Sequence, residues 1–188
     1  MLGSGGSKAI SGMDVDAAMK STFVQDMRKG ALQNGCGHDV AFCRPAQGNT
    51  GEQKLVCHRA LIASQAEYLH TLLFSEHWGG SDKISLDEDH AFEVLEAVVD
   101  YMYTGDCTQF EEDLHLAADG LALANLYIVD SLKEELESML MEAIDADNMR
   151  WLADFGEKHN ASRLRRACLD LLQTSTSDLV VAEENCEA

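Results

Sequence analysis

Residues 39–74 read DVAFCRPAQGNTGEQKLVCHRALIASQAEYLHTLLF, and this stretch decides the fold. It opens with two short apolar runs, Asp39 to Cys43 and Gln53 to Cys57. The linker between them contains one proline and two glycines, residues that favour turns, so the two runs predict a hairpin. Apolar residues three and four apart then predict two short helices. The helices are Arg59 to Ser64 and Ala66 to Phe74, with Leu61, Ile62, Tyr68, Leu69, Leu72 and Leu73 expected to face inward.

Outside this stretch the chain is mainly helical. A short alternating run, Lys83 to Leu86, predicts a third strand. Helical spacing predicts a helix before the hairpin, from Ala17 to Leu32, and five helices after the third strand, the first ended by Gly105 and the second near Asn125. These five are His90 to Tyr103, Glu112 to Leu123, Ile128 to Ile144, Asp147 to Phe155 and Ser162 to Leu172. A small sheet among many helices predicts an α+β fold.

The charge of the chain is strongly negative. Its 14 Lys and Arg against 33 Asp and Glu give a net charge of -19, which repels phosphate backbones and argues against a nucleic-acid partner. The segment from Asp87 to Asp147 holds 18 acidic residues and one basic residue, Lys133. Its acids are expected to form one face, which is either a solvated surface or a docking surface for a basic partner.

The cysteines and the termini indicate a reduced, intracellular protein. Six cysteines at irregular spacings, with no secretory signal, do not form the framework of a disulfide scaffold. No stretch approaches 18 apolar residues, so we expect no membrane span. We expect a cytoplasmic or nuclear location.

Six local motifs, in this order, resemble the BTB/POZ domain. They are Asp39 to Phe42, His58 to Ser64, Tyr68 to Phe74, Ile84 to Leu86, Tyr101 to Gly105 and Leu116 to Leu123. The resemblance implies an α+β BTB/POZ fold, in which a three-stranded sheet is flanked by a cluster of helices and followed by a helical extension. The expected organisation is a flexible leader at 1–15, the BTB/POZ domain at 16–145, a helical pair at 146–174 that resembles the start of a BACK segment, and a loose acidic tail at 175–188.

The resemblance also implies a homodimer. The helix from Ala17 to Leu32 carries an apolar stripe that needs a cover, and in the family the corresponding helix packs against its copy across a twofold axis. Met19, Phe23 and Met27 would form the centre of that interface. The alternative is that the helix packs against its own domain. Asp39 and Arg59 match a charged, partly buried pair near the family's dimer interface.

A second surface is implied by the cullin-binding members of the family. They dock through the segment between the second helix after the hairpin and the third strand, where a hydrophobic residue, any residue and then Glu are typical. Here the segment begins Phe74-Ser75-Glu76-His77-Trp78, and Gly80 stands where the glutamate is expected. Phe74, Glu76, His77 and Trp78 are the docking residues we predict, and the alternative for Trp78 is a loop residue folded onto its own helices.

The sequence gives little support for a catalytic or metal-binding function. Cys36-Gly37-His38-Asp39 and Cys57-His58 contain ligand types for zinc and a candidate Cys-His nucleophile, but no CxxC pair accompanies them. No phosphate-binding or hydrolase motif is present. We therefore expect no enzyme, metal or cofactor.

The function that the resemblance implies is a homodimeric adaptor recruiting a cullin-3 RING ubiquitin ligase to an unknown client protein. The first alternative is a dimerisation or corepressor-recruiting scaffold that does not bind the ligase. The second is a metal-binding or Cys/His enzyme.

Overall fold

The sheet of the protein is small and mixed. The structure, a computed structural model, describes residue 26 and residues 37–46, 51–75, 82–85 and 91–184, with side chains to residue 174. Within these ranges the strands are β1 (Val40–Arg44), β2 (Gln53–Cys57) and β3 (Lys83–Ser85). β1 lies in the middle, antiparallel to β2 and parallel to β3. The predicted hairpin and third strand are confirmed, and β1 is apolar without alternation because its first four residues are all buried.

Helices make up most of the described chain. The two helices predicted after the hairpin are confirmed as α1 (Arg59–Gln65) and α2 (Glu67–Phe74). After β3 come α3 (Phe92–Thr104), α4 (Leu114–Tyr127), α5 (Asp130–Glu142), α6 (Met149–Lys158) and α7 (Ser162–Glu184), with a short 3-10 turn at Thr108–Phe110. None of the helices in the described ranges is both long enough and apolar enough to cross a membrane.

The core lies around α3. Eight of the thirteen residues of this helix are buried, which explains why its apolar residues are not confined to one stripe. Gly105 ends the helix, as predicted, in the left-handed conformation with φ 68°, and its N–H donates to the carbonyl oxygen of Tyr101. A side chain at this position would be strained, so glycine is the residue that closes α3.

The turn between α4 and α5 differs from the prediction. The helix expected to end near Asn125 continues through Tyr127 and is closed by Ile128, which adopts the left-handed conformation with φ 58°. A β-branched residue rarely adopts this conformation, and no local sequence signal predicts it. Asn125 instead lies inside the helix, where its side-chain oxygen accepts a hydrogen bond from Lys133 Nζ at 2.7 Å.

The last two helices pack closely on each other at Gly156. A Cβ atom on this residue would lie 3.0 Å from the carbonyl oxygen of Ala161 and from the backbone nitrogen of Arg165. The helical pair predicted from the sequence is therefore present, but the loose tail predicted from residue 175 is wrong for residues 175–184, whose backbone continues α7. The reason is that no glycine or proline interrupts the chain between Ala161 and Glu184.

Candidate docking site

The first predicted pair of site residues is brought together at the start of α1. The backbone N–H of Arg59 donates to Asp39 Oδ1 at 2.6 Å, and Arg59 Nε lies 3.9 Å from Asp39 Oδ2. The Arg59 side chain is 21% exposed, but that of Asp39 is 55% exposed, so the expectation of a partly buried pair holds for the arginine only. An exposed ion pair contributes little to stability. The main role of the Asp39 carboxylate is to accept one of the free N–H groups at the start of α1.

Phe74, the first predicted docking residue, lies at the exposed end of α2. Its side chain is 56% exposed, and its ring centroid is 5.3 Å from that of His70. This exposure is unusual for a phenylalanine and suits an interaction surface. The other predicted docking residues, Glu76, His77 and Trp78, lie outside the described residues.

Three of the five predicted dimer-interface residues also lie outside the described ranges, whereas Asp39 and Arg59 lie within them. The three residues outside are Met19, Phe23 and Met27. Asp26, between two of them, is described, and it is helical and exposed. The dimer interface therefore stays a prediction.

The structure adds an apolar surface that the sequence analysis missed. Tyr68 was expected to face inward, but it is exposed, as are Leu126 and Ile128 at the end of α4. The start of α2 meets this end of α4, because the Glu67 N–H donates to the Ile128 carbonyl oxygen at 3.4 Å and the Tyr68 and Tyr127 rings stack. Tyr68, Leu126 and Ile128 at this contact, and Phe74 at the other end of α2, are together called the α2–α4 patch below.

A groove of about 820 Å³ lies between α4 and α6. Three of its lining residues carry rings that follow one another, with 5.7 Å between the centroids of Trp151 and Phe155 and 4.4 Å between those of Phe155 and His159. His115 on α4 contacts Trp151, with 5.5 Å between centroids. The spacing of four residues between Trp151, Phe155 and His159, the residue after α6, could have indicated this aromatic face. This α4–α6 groove is lined by Asp119, Ala122, Trp151, Asp154, Phe155, Lys158 and His159.

A second groove, of about 780 Å³, lies beside α5. Glu135 lines it and accepts a hydrogen bond from the Tyr101 hydroxyl at 2.9 Å. Burial, and secondarily the neighbouring Glu135, raises the pKa of the Cys107 thiol to about 11, and burial likewise raises the pKa of Tyr101. Both groups are therefore protonated donors at neutral pH, not nucleophiles.

The described acidic residues between Glu93 and Asp147 do not form the single face that was expected, and Asp87, Glu88 and Asp89 lie outside the described residues. Glu111, Glu134, Glu135 and Glu142 line the groove beside α5, whereas Asp119 lines the α4–α6 groove. Glu137 is buried and accepts hydrogen bonds from the backbone at the start of α7. The helical repeat distributes these acids around α4 and α5, so a run of charge in the sequence does not become one surface.

Of the two Cys-His segments, Cys36 lies outside the described residues, and the described residues show no arrangement typical of a metal centre. His58 Nδ1 forms a hydrogen bond of 2.8 Å with the Tyr103 hydroxyl, which also accepts the His58 backbone N–H. The neighbouring Cys57 is completely buried. In the part of the chain that the structure describes, no three or more His, Cys, Asp or Glu residues are grouped so that they could hold a metal ion.

A family model described as the BTB/POZ domain matches residues 38–144, more than half of the chain. The chain therefore belongs to the BTB/POZ domain family. It is a protein-interaction module. The match ends before α6, so the BACK-like character of the last two helices stays a prediction.

The inhibitor of Bruton tyrosine kinase of Mus musculus is 26% identical over 128 residues, covering 67% of this chain and 10% of that protein. Kelch-like protein 11 of Homo sapiens is 24% identical over 190 residues, covering 98% of this chain and 26% of that protein. The chain thus spans at most about a quarter of these two relatives. The solved BTB (Tramtrack and Bric a brac) domain of human Gigaxonin has the same fold, with a TM-score of 0.50, 18% identity, and coverage of 73% of this chain and 100% of that one.

Proposed function

We propose that this chain is a homodimeric adaptor that recruits a cullin-3 RING ubiquitin ligase to a client protein. Membership of the BTB/POZ family and the similarity to Kelch-like proteins support this role. The chain would contribute binding surfaces and no catalysis, and it would work in the cytoplasm or the nucleus. The client stays unspecified.

The observation that carries the proposal is the α2–α4 patch. Three of its four residues, Tyr68, Leu126 and Ile128, lie where α2 meets the end of α4, and Phe74 lies at the other end of α2. Phe74 is also the residue with which the predicted docking segment begins. An exposed group of large apolar side chains is typical of a protein–protein interface, because exposure to water has a free-energy cost that a partner removes.

The backbone at Ile128 supports the same surface. Its left-handed conformation is costly for a β-branched residue, and such strain is found most often at binding and catalytic sites. The strained turn is held in place because the Ile128 carbonyl oxygen accepts the Glu67 N–H, and the Val129 N–H donates to the Ala124 carbonyl oxygen at 2.9 Å. The residue with the strained backbone, Ile128, is thus the same residue that exposes its side chain next to α2.

Alanine variants at the patch test the proposal. Phe74→Ala and Leu126→Ala remove exposed side chains, so the fold and the dimer should stay intact. Each should weaken binding to the N-terminal region of cullin-3 by about tenfold or more, as measured by calorimetry, because residues at the centre of an interface carry most of its binding energy. Leu171→Ala is the matched control, because Leu171 is an exposed leucine on α7, outside the patch. Trp78→Ala should likewise weaken scaffold binding and leave the dimer unchanged.

The outcomes separate the candidate functions. Equal binding by Phe74→Ala, Leu126→Ala and the Leu171→Ala control would remove the patch from the docking surface. A wild-type dimer without affinity for the scaffold would instead favour the dimerisation or corepressor-recruiting module.

A further inference from the structure

We propose that the α4–α6 groove binds a short peptide segment of a partner protein through an arginine or lysine side chain flanked by apolar residues. The groove combines aromatic faces with carboxylates, and this pair of features recognises an organic cation. Within the proposed function the partner would be the client, so the inference rests on that proposal for the source of the peptide. Binding by the groove itself needs no scaffold.

On the aromatic side of the groove, Phe155 is partly buried and packs against the core, whereas Trp151 is exposed. The buried residues of α6 are Leu152, Ala153 and Gly156, on the face toward the protein. Trp151, by contrast, is 39% exposed and lies next to the completely buried Leu152. An exposed tryptophan on a helix whose other face does the packing is a residue available to a partner.

The rings are arranged to receive a cation. Trp151 contacts Phe155 on its own helix and His115 on α4, so its ring has an aromatic neighbour on each of two helices. The faces of tryptophan and phenylalanine rings carry negative charge density, which attracts guanidinium and ammonium groups. Apolar residues beside the cation would pack against the ring edges and Ala122, since these surfaces are also apolar.

Two carboxylates give the groove the charge that a cation needs. Asp119 extends from α4 and Asp154 from α6, and Lys158 is the basic residue of the lining. Both aspartates are exposed, and neither forms a salt bridge with another residue in the described part of the chain. Two carboxylates facing one lysine leave a negative balance, and the net charge of the chain, -19, favours a basic segment over an acidic one.

The size of the groove suits a side chain and its neighbours. Its volume of about 820 Å³ is within the range of roughly 300–1,000 Å³ that is typical of small-ligand sites. A single arginine with one or two flanking residues would fill it, whereas a folded domain would not enter. The occupant is therefore a flexible or extended segment.

The experiment is selection from a random peptide library displayed on phage, with the full chain immobilised. We expect peptides enriched in an arginine or lysine between apolar residues. The affinities of the selected peptides are then measured by fluorescence polarisation, and the Trp151 indole N–H signal is followed by NMR and assigned with Trp151→Phe. The signal should shift on peptide addition and saturate with the same affinity.

Two sets of variants locate the binding. Asp119→Asn with Asp154→Asn changes exposed residues only, so it should fold normally and lose about tenfold in affinity. Trp151→Ala should lose at least as much. Glu111→Gln with Glu134→Gln is the matched control, because it removes two charges from the groove beside α5, and the affinity should change by less than about twofold.

Several results would overturn the inference. One is selection without enrichment of arginine or lysine. Another is an equal loss of affinity in both double variants, which would mean that overall charge attracts the peptides. A third is a selection that yields no peptide, together with loss of scaffold binding by the Asp119→Asn/Asp154→Asn variant. This result would mean that the groove binds the scaffold. Failure of the proposed function is separate, since a chain that ignores the scaffold would still bind the peptides.

Discussion

Replacing Glu137 by alanine tests how the last two helices are attached to the BTB/POZ domain. Glu137 is on α5 and only 6% exposed, an unusual place for a carboxylate. Its Oε1 accepts the backbone N–H of Arg163 at 2.7 Å and that of Leu164 at 2.9 Å. These N–H groups belong to the first turn of α7 and have no partner within their own helix. A side chain of the domain therefore caps the last helix.

The cost of removing this cap follows from the burial of the two donors. A hydrogen bond to a charged group contributes about 1.5–3 kcal/mol. The bond from Leu164 is buried and counts in full, whereas the Arg163 N–H is partly accessible and can bind water instead. We therefore expect Glu137→Ala to destabilise the start of α7 by about 3 kcal/mol. Glu137→Gln keeps an oxygen acceptor and should cost about 1 kcal/mol, the value of a charge at a helix N-terminus.

Amide hydrogen exchange read by NMR is the assay, because it separates the helices. If α7 opens independently of the core, 3 kcal/mol corresponds to exchange roughly 100-fold faster at the α7 amides, such as that of Cys168, with little change at Val98 in α3. Glu134→Ala is the control, since Glu134 is exposed on the same helix. The reasoning is refuted if Glu137→Ala exchanges like the Glu134→Ala control.

Three further perturbations test other parts of the account. Gly156→Ala places a Cβ atom 3.0 Å from backbone atoms of Ala161 and Arg165 and should lower the free energy of unfolding by about 1–3 kcal/mol. Urea titration measures this change, and an unchanged midpoint would contradict the close packing of the last two helices. Cys107, with its pKa raised to about 11, should react with iodoacetamide at pH 8 about 100-fold more slowly than a model cysteine peptide, since less thiolate is present. Equal reaction rates would show that the thiol is not buried. Met27→Asp should split the dimer by placing a charge in its predicted apolar stripe, and light scattering that still shows a dimer would reject that interface.

The parts of the fold set by neighbouring residues could be predicted from the sequence. The hairpin followed from two apolar runs around a turn, and the end of α3 followed from Gly105, whose left-handed conformation suits glycine. The candidate docking site was harder to predict from the sequence. Phe74 was identified from its motif, but Tyr68 was assigned to the core because it shares helical spacing with buried leucines.

The features that could not be predicted depend on contacts between residues far apart in the chain. Glu137 and Leu164 are 27 positions apart, so no local pattern shows that one caps the other. The end of α4 at Ile128 is set by packing against the start of α2, which overrides the local preference against a left-handed β-branched residue. The α4–α6 groove exists only once the two helices lie side by side, so the aromatic spacing on α6 could at most have indicated a face and not a cavity.

The most direct test of the adaptor role is light scattering of the purified wild-type chain with the N-terminal region of cullin-3. The account predicts a dimer of the chain alone and, with the scaffold, a complex of two chains and two scaffold fragments that binds with submicromolar affinity. A dimer whose mass does not change when the scaffold is added would contradict the ligase-adaptor function.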